Sequence, residues 1–137
     1  IHGLASIRVG YGIANPSLIE VLNRIRQPFN VNTIAQAMAC VAINDHEHIR
    51  QSIELNSQQY EFLFDKLSKL RLECIPSVAN FITFKGDFIG QEMFINLMEK
   101  GVIVRSVDLY DMKDFIRVTI GTEAENLKFL SALEELL

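Results

Sequence analysis

The sequence predicts an α/β chain, in which one strand and two helices precede a long helix and a smaller α+β unit follows it. Three observations lead to this prediction. Short segments with apolar residues at every second position alternate with segments in which apolar residues recur at helical spacing. Residues that start or stop helices stand at the boundaries of these segments. One helical pattern of about 25 residues separates the two groups of elements, and this length is typical of a helix that bridges two lobes.

The composition indicates a folded protein of about one domain. The chain has 137 residues, of which 49% are apolar and 22% are charged, and these fractions are typical of soluble proteins. The net charge of −4 argues against a nucleic-acid partner, which requires a basic surface. No apolar run approaches the ~20 residues of a membrane span, so no membrane partner is expected.

The two cysteines, Cys40 and Cys74, follow no disulfide or metal-site spacing. Cys40 lies in an alanine-rich apolar helical pattern, which predicts a buried structural thiol rather than a disulfide. Unpaired thiols are typical of the cytoplasm, which is therefore the expected compartment.

The first three predicted elements are a strand and two helices. Residues 7–14 read as a short strand. Asn15 is a good N-cap and Pro16 suits the first helical position, so a helix is expected to begin there. A second helix begins after Asn32 or Thr33, and its apolar residues predict that it is mostly buried.

The long third helix is predicted to begin after Asp45 and to run to about Leu70. Gly101 is a normal glycine stop for a later helix. Thr122 and Glu125 match a capping box that opens the last helix, in which Leu127, Leu130, Leu133 and Leu137 give an apolar seam. Between these signals, strands are predicted at residues 72–75, 79–84, 102–105 and 115–120, and a helix at residues 89–100.

Three arginines on or beside predicted strands are the candidate functional residues. Arg8 follows a turn of small residues, Arg105 ends a strand, and Arg117 lies within a strand on the face opposite its apolar neighbours. A guanidinium matches the oxygens of a carboxylate or phosphate two at a time. From these residues alone, an anion-binding surface and ordinary solvated arginines both remain open.

No motif in the sequence indicates a metal site or a nucleophile. His46 and His48 stand two residues apart at a helix start, whereas metal ligation on a helix requires a spacing of four. The chain contains no glycine-rich phosphate loop, no nucleophile elbow and no zinc spacing. We therefore expect no metal.

Five stretches of the chain match a known family in that family's order. They are Gly-Leu-Ala-Ser-Ile-Arg-Val-Gly-Tyr-Gly at residues 3–12, Pro-Phe-Asn-Val-Asn at 28–32 with Ala-Gln at 35–36, Ala-Asn-Phe at 79–81, Gly-Val-Ile-Val-Arg at 101–105, and Ile-Arg-Val-Thr-Ile-Gly-Thr at 116–122 with Glu-Asn at 125–126. On these stretches the chain resembles the C-terminal part of histidinol-phosphate aminotransferases, within the fold-type I pyridoxal-phosphate aminotransferases.

The resemblance implies roles for the three arginines. Arg8 matches the arginine that holds the phosphate of the cofactor, pyridoxal 5'-phosphate. Arg117 matches the arginine that binds the substrate α-carboxylate, and Arg105 matches one near the phosphate end of the substrate. The family's Schiff-base lysine, in Ser-Lys-x-x-Gly-Leu-Ala, would directly precede Ile1. We therefore expect no catalytic residue in this chain, and by itself neither activity nor bound cofactor. We further expect Arg8 and Arg117 to face one pocket.

The resemblance also implies a fold, a reaction and partners. Residues 1–45 would end the large domain, residues 46–70 would form the long interdomain helix, and residues 71–137 would form the small α+β domain. The complete enzyme, a cytoplasmic homodimer of histidine biosynthesis, would interconvert histidinol phosphate and 2-oxoglutarate with imidazole-acetol phosphate and glutamate. Two alternatives stay open: an aromatic or broad-specificity amino-acid aminotransferase, and a non-catalytic domain that binds an anion or a protein through the same arginines.

Overall fold

The computed structural model describes residues 1–137, and these residues divide into two units, Ile1–Ser52 and Ile53–Leu137. None of the helices combines the length and apolar character that a membrane span requires. In chain order the elements are α1 (Pro16–Ile25), α2 (Thr33–Ala42), α3 (His46–Lys69), β1 (Glu73–Ile75), β2 (Phe81–Lys85), α4 (Gly90–Glu99), β3 (Arg105–Ser106), β4 (Phe115–Thr119) and α5 (Glu123–Glu134), with 3₁₀ turns at Ala5–Ile7 and Asp108–Tyr110.

The strand predicted at residues 7–14 is wrong. A 3₁₀ turn spans Ala5–Ile7, and Arg8 ends it in the left-handed region with φ of 58°. A β-strand needs a neighbouring strand to satisfy its backbone groups. All four strands of the chain belong to the second unit, so residues 7–14 have no partner in their own unit.

The two short helices of the first unit begin where the sequence predicts. The Asn15 side chain accepts a hydrogen bond from the Ser17 backbone N–H at 3.0 Å, and Pro16 takes the first helical position. The Asn32 side chain accepts from the Ala35 N–H at 2.8 Å, so Asn32 rather than the following threonine is the cap of α2.

The burial predicted for α2 is wrong. Ala35 is the one buried residue of this helix, and Cys40 is exposed rather than a buried thiol. The large hydrophobic cluster of the chain lies in the second unit, and the first unit contains no sheet to cover an apolar helix face. The apolar residues of α2 therefore remain accessible, although their spacing is typical of a buried helix.

The long helix α3 has the predicted start and end. The Asp45 carboxylate accepts from the His48 N–H at 3.0 Å, which caps the first turn. At the other end Arg71 adopts a left-handed φ of 62°, and the Leu72 N–H reaches back to the Leu67 carbonyl at 3.1 Å. This arrangement is a Schellman motif, and it ends the helix at Lys69, three residues short of β1.

The four strands of the second unit form one antiparallel sheet in the order β1-β2-β4-β3. Three strands lie within two residues of their predicted positions. The strand predicted at residues 102–105 is shorter and later, because only Arg105 and Ser106 pair with β4. Before it, Gly101 ends α4 with φ of 74°, as the sequence predicts.

One face of the sheet carries the core. Helices α3, α4 and α5 supply apolar residues to the same cluster. In α5 the predicted seam is only half right, since Leu130 and Leu133 are buried whereas Leu127 and Leu137 are exposed. The largest fully buried apolar side chains of the cluster are Leu63, Leu67, Ile82, Phe84, Leu97, Ile116 and Leu133.

A buried asparagine fixes the turn that follows β4. Asn126 is 2% exposed and is the one buried polar side chain of the chain. Its oxygen accepts from the Gly121 N–H at 3.0 Å, and its amide nitrogen donates to the Gly121 carbonyl at 3.1 Å and to Gln59 Oε1 at 2.8 Å. The side chain therefore ties α5 to α3 and to the residues directly after β4.

Candidate functional site

The sheet face opposite the core carries the candidate site. Arg117 lies in the middle of β4, between Ile116 and Val118, whose side chains are buried on the other face. Its Cα partners are Thr83 on β2 and Arg105 on β3. Because directly paired residues share a face, the structure brings the Arg105 and Arg117 side chains to the same side of the sheet. The predicted orientation of Arg117 is confirmed.

The two arginines face each other without a carboxylate to neutralise them. The ion pairs of the chain involve other residues, and no acidic group lies within ion-pair distance of either guanidinium. Like charges at directly opposed strand positions destabilise a sheet, so an anion bound between them would remove this repulsion. Arg117 is half-buried, which strengthens its interaction with such an anion compared with a fully solvated arginine.

A concave surface adjoins the pair. Its volume is about 540 Å³, and it combines the two guanidiniums and two hydroxyl side chains with an apolar wall. A ligand with an anionic end and an apolar body matches this lining in charge and polarity. The lining residues are Phe94, Ile103, Val104, Arg105, Ser106, Arg117 and Thr119.

Arg117 is supported by an aromatic ring on the neighbouring strand β2. The Arg117 Cζ atom lies 4.6 Å from the centroid of the Phe81 ring, which is a cation–π distance. Phe81 is half-buried on the open face, whereas Phe84 is buried on the core face. The alternation of β2 contained this signal, because Phe81 has the same parity as the polar Thr83.

Arg8 belongs to the first unit. It is exposed, and its Nη1 atom donates to the Ala5 carbonyl at 2.8 Å, which holds the side chain against its own turn. No carboxylate forms an ion pair with it. The guanidinium thus retains donors for an anion, while the expectation that Arg8 and Arg117 share one pocket stays a prediction.

A second concave surface, in the first unit, follows helix α1. Its volume is about 640 Å³, and it includes the Pro-Phe-Asn-Val-Asn stretch at residues 28–32. Phe29 has a left-handed φ of 56° and is 98% exposed. Arg26 donates to Asn23 at 2.9 Å and to Asn30 at 3.4 Å, so this arginine is occupied within its own loop.

Two exposed tyrosines and the Cys74 thiol lie outside these surfaces. Tyr11 is 82% exposed and Tyr110 is 64% exposed. No group of three or more His, Cys, Asp or Glu side chains is placed to hold a metal ion. Burial raises the pKa of the Cys74 thiol to about 11, so this group is protonated and unreactive at neutral pH.

The chain is similar in sequence to known aminotransferases. The family model described as aminotransferase class I and II matches residues 1–133. A histidinol-phosphate aminotransferase from Caldicellulosiruptor saccharolyticus is 45% identical over 137 residues. That match covers 100% of this chain and 38% of the relative, so the chain spans little more than a third of that protein's length.

Solved structures agree with this similarity. The histidinol-phosphate aminotransferase from Clostridium acetobutylicum superposes with a TM-score of 0.86 at 24% identity, covering 98% of this chain and 42% of that one. The enzyme from Sinorhizobium meliloti, solved in complex with pyridoxal-5'-phosphate, gives 0.83 at 20% identity, covering 98% and 39%. These likenesses confirm the predicted fold, part of a fold-type I aminotransferase.

Sequence and fold therefore lead to the same assignment. The family model covers nearly all of the chain, the relative shares almost half of its residues, and the fold agrees. The chain belongs to the aminotransferase class I and II family.

Proposed function

We propose that this chain is part of an enzyme that transfers an amino group between histidinol phosphate and 2-oxoglutarate, giving imidazole-acetol phosphate and glutamate. The observation that carries the proposal is the facing pair Arg105 and Arg117, mounted on adjacent strands without a neutralising carboxylate. The name of the relative from Caldicellulosiruptor saccharolyticus supports the choice of substrate.

The two substrates of this reaction carry different anionic groups, and two arginines can bind both kinds. Histidinol phosphate has a phosphate and no carboxylate, whereas glutamate has two carboxylates. One site has to accept both substrates in turn. Arg117 would bind the α-carboxylate of glutamate, and Arg105 would bind the phosphate end of histidinol phosphate. A strand-mounted guanidinium holds its partner with two parallel hydrogen bonds, which orients the substrate as well as binding it.

The family implies pyridoxal 5'-phosphate as cofactor, and Arg8 fits its phosphate. The Arg8 guanidinium makes one hydrogen bond within its turn and forms no ion pair, so donors remain for phosphate oxygens. When bound, the cofactor supplies an electron sink for the negative charge that develops at the substrate Cα. In this proposal Arg8 anchors the cofactor while Arg117 holds the substrate in the orientation that the reaction requires.

We also propose the domain roles and the assembly that the resemblance implies. Residues 1–45 would end the large domain, residues 46–70 would link the domains, and residues 71–137 would form the small domain. Leu18, Leu22 and Ile25 on α1 are exposed, and such apolar residues favour covering by further protein, in keeping with a homodimer. Both cysteines are free, which supports a cytoplasmic enzyme.

The test is a comparison of amino donors in the complete protein that carries this chain, loaded with cofactor. We expect a higher kcat/KM for histidinol phosphate than for phenylalanine, with 2-oxoglutarate as acceptor. A strong preference for phenylalanine would instead indicate an aromatic or broad-specificity aminotransferase. If neither donor reacted while the protein still bound 2-oxoglutarate, the chain would belong to a binding protein.

A further inference from the structure

The side chain of Arg117 contacts an aromatic ring rather than a carboxylate. In the structure its guanidinium has no carboxylate partner. Its Cζ atom lies 4.6 Å from the centroid of the Phe81 ring, and this is a cation–π contact. Phe81 pairs with Thr119, two residues beyond Arg117, so the ring reaches the guanidinium diagonally across two strands. Diagonal neighbours in an antiparallel sheet lie within reach of aromatic and long side chains.

An arginine that has to bind an anion needs to be held without being neutralised. Its side chain carries about 2 kcal/mol of rotamer entropy, and the facing Arg105 repels it. A carboxylate would hold the guanidinium but would also occupy its in-plane donors and cancel its charge. An aromatic face instead contacts the flat side of the guanidinium and leaves its five N–H donors available in the plane.

The backbone that precedes Phe81 is held by two hydrogen bonds. Phe81 is the first residue of β2, and the carbonyl of Asn80 before it accepts from the Ile120 N–H at 2.9 Å. The carbonyl of Ala79 accepts from the Asn56 amide of α3 at 3.3 Å. The backbone just before Phe81 is therefore bonded both to the residue that follows β4 and to the long helix.

We propose that Phe81 is a positioning residue. Its ring holds the Arg117 guanidinium in one orientation, so that two N–H donors of the guanidinium bind the two oxygens of a substrate carboxylate together. The inference rests on the proposed function, because it assumes that Arg117 binds that carboxylate. Removal of the ring would weaken the binding of glutamate and 2-oxoglutarate while leaving the chemical step almost unchanged.

The test uses Phe81→Leu and Phe81→Met, which remove the aromatic face, and Phe81→Tyr, which retains it. In the complete, cofactor-loaded protein we expect the KM for 2-oxoglutarate to rise about 5-fold in the first two variants, from a cation–π contribution of about 1 kcal/mol. We expect kcat to change less than about 2-fold, and Phe81→Tyr to match the unaltered protein. Binding of 2-oxoglutarate measured by calorimetry should weaken in parallel.

Controls separate this inference from the proposed function. With Arg117→Gln as background, Phe81→Leu should have no further effect on 2-oxoglutarate binding, since the group that the ring positions is gone. An unchanged KM in Phe81→Leu, an equal loss in Phe81→Tyr, or unfolding of both aliphatic variants would overturn the inference alone. Full activity in Arg117→Gln itself would overturn the proposed function.

Discussion

Replacing Asn126 should destabilise the second unit more than any other single polar change. The side chain is 2% exposed and makes three hydrogen bonds, two with the backbone of Gly121 and one with Gln59. A typical buried hydrogen bond contributes about 1 kcal/mol, and partners left unsatisfied raise the cost. We therefore expect Asn126→Ala to lower the free energy of unfolding by about 3 kcal/mol.

The assay is urea unfolding of the chain followed by circular dichroism. Asn126→Asp is the sharper variant, because it keeps the size of the side chain but replaces the donor to Gln59 and Gly121 with an acceptor. Asn96→Ala is the matched control, since Asn96 is exposed on α4 and should change stability by less than about 0.5 kcal/mol. A loss below about 1 kcal/mol in both Asn126 variants would refute the reasoning.

Three further predictions concern packing, backbone conformation and thiol chemistry. Gly90→Ala should destabilise the chain by about 1–3 kcal/mol in urea unfolding, because an added Cβ would lie 2.3 Å from the Phe115 carbonyl oxygen. An unchanged free energy of unfolding would contradict this close approach. Arg71→Gly should raise the thermal midpoint and add about 1 kcal/mol to the free energy of unfolding, because Arg71 has a left-handed φ of 62° that glycine adopts without strain. A lower midpoint would show that the Arg71 side chain contributes more to stability than the relief of this strain. In the native chain at pH 8, the exposed Cys40 should react with a thiol reagent well before Cys74, because burial raises the pKa of the Cys74 thiol to about 11. Equal reaction rates of the two thiols would contradict the burial of Cys74.

The sequence predicts best the parts of the chain that local chemistry determines. The caps at Asn15, Asn32 and Asp45 and the glycine stop at Gly101 are each confirmed by a hydrogen bond or a backbone angle. Each of these signals acts within four residues, so the rest of the fold cannot override it easily.

The errors arise where a prediction depends on what packs against an element. Residues 7–14 have strand-like composition, but in their unit no strand pairs with them. Cys40 has the neighbours of a buried thiol, but no sheet covers α2 in that unit. Local pattern gives the preferred face of an element, whereas tertiary partners decide whether that face is buried.

The candidate site shows the same division. Strand alternation correctly gave the face on which Arg117 lies. Its pairing with Arg105 depends on the sheet order, and its contact with Phe81 depends on the register between β2 and β4. Neither can be obtained from one strand alone, because both follow from long-range pairing.

The most direct measurement of the central claim is the kinetics of Arg117→Gln in the complete, cofactor-loaded protein, with glutamate as amino donor. Loss of two charge-assisted hydrogen bonds, together about 3 kcal/mol, should lower kcat/KM by roughly 150-fold. Arg24→Gln removes an exposed arginine paired with Glu20 on α1 and serves as the control, for which we expect no change. A value for Arg117→Gln within about threefold of the unaltered protein would contradict the assignment of this arginine to the substrate carboxylate.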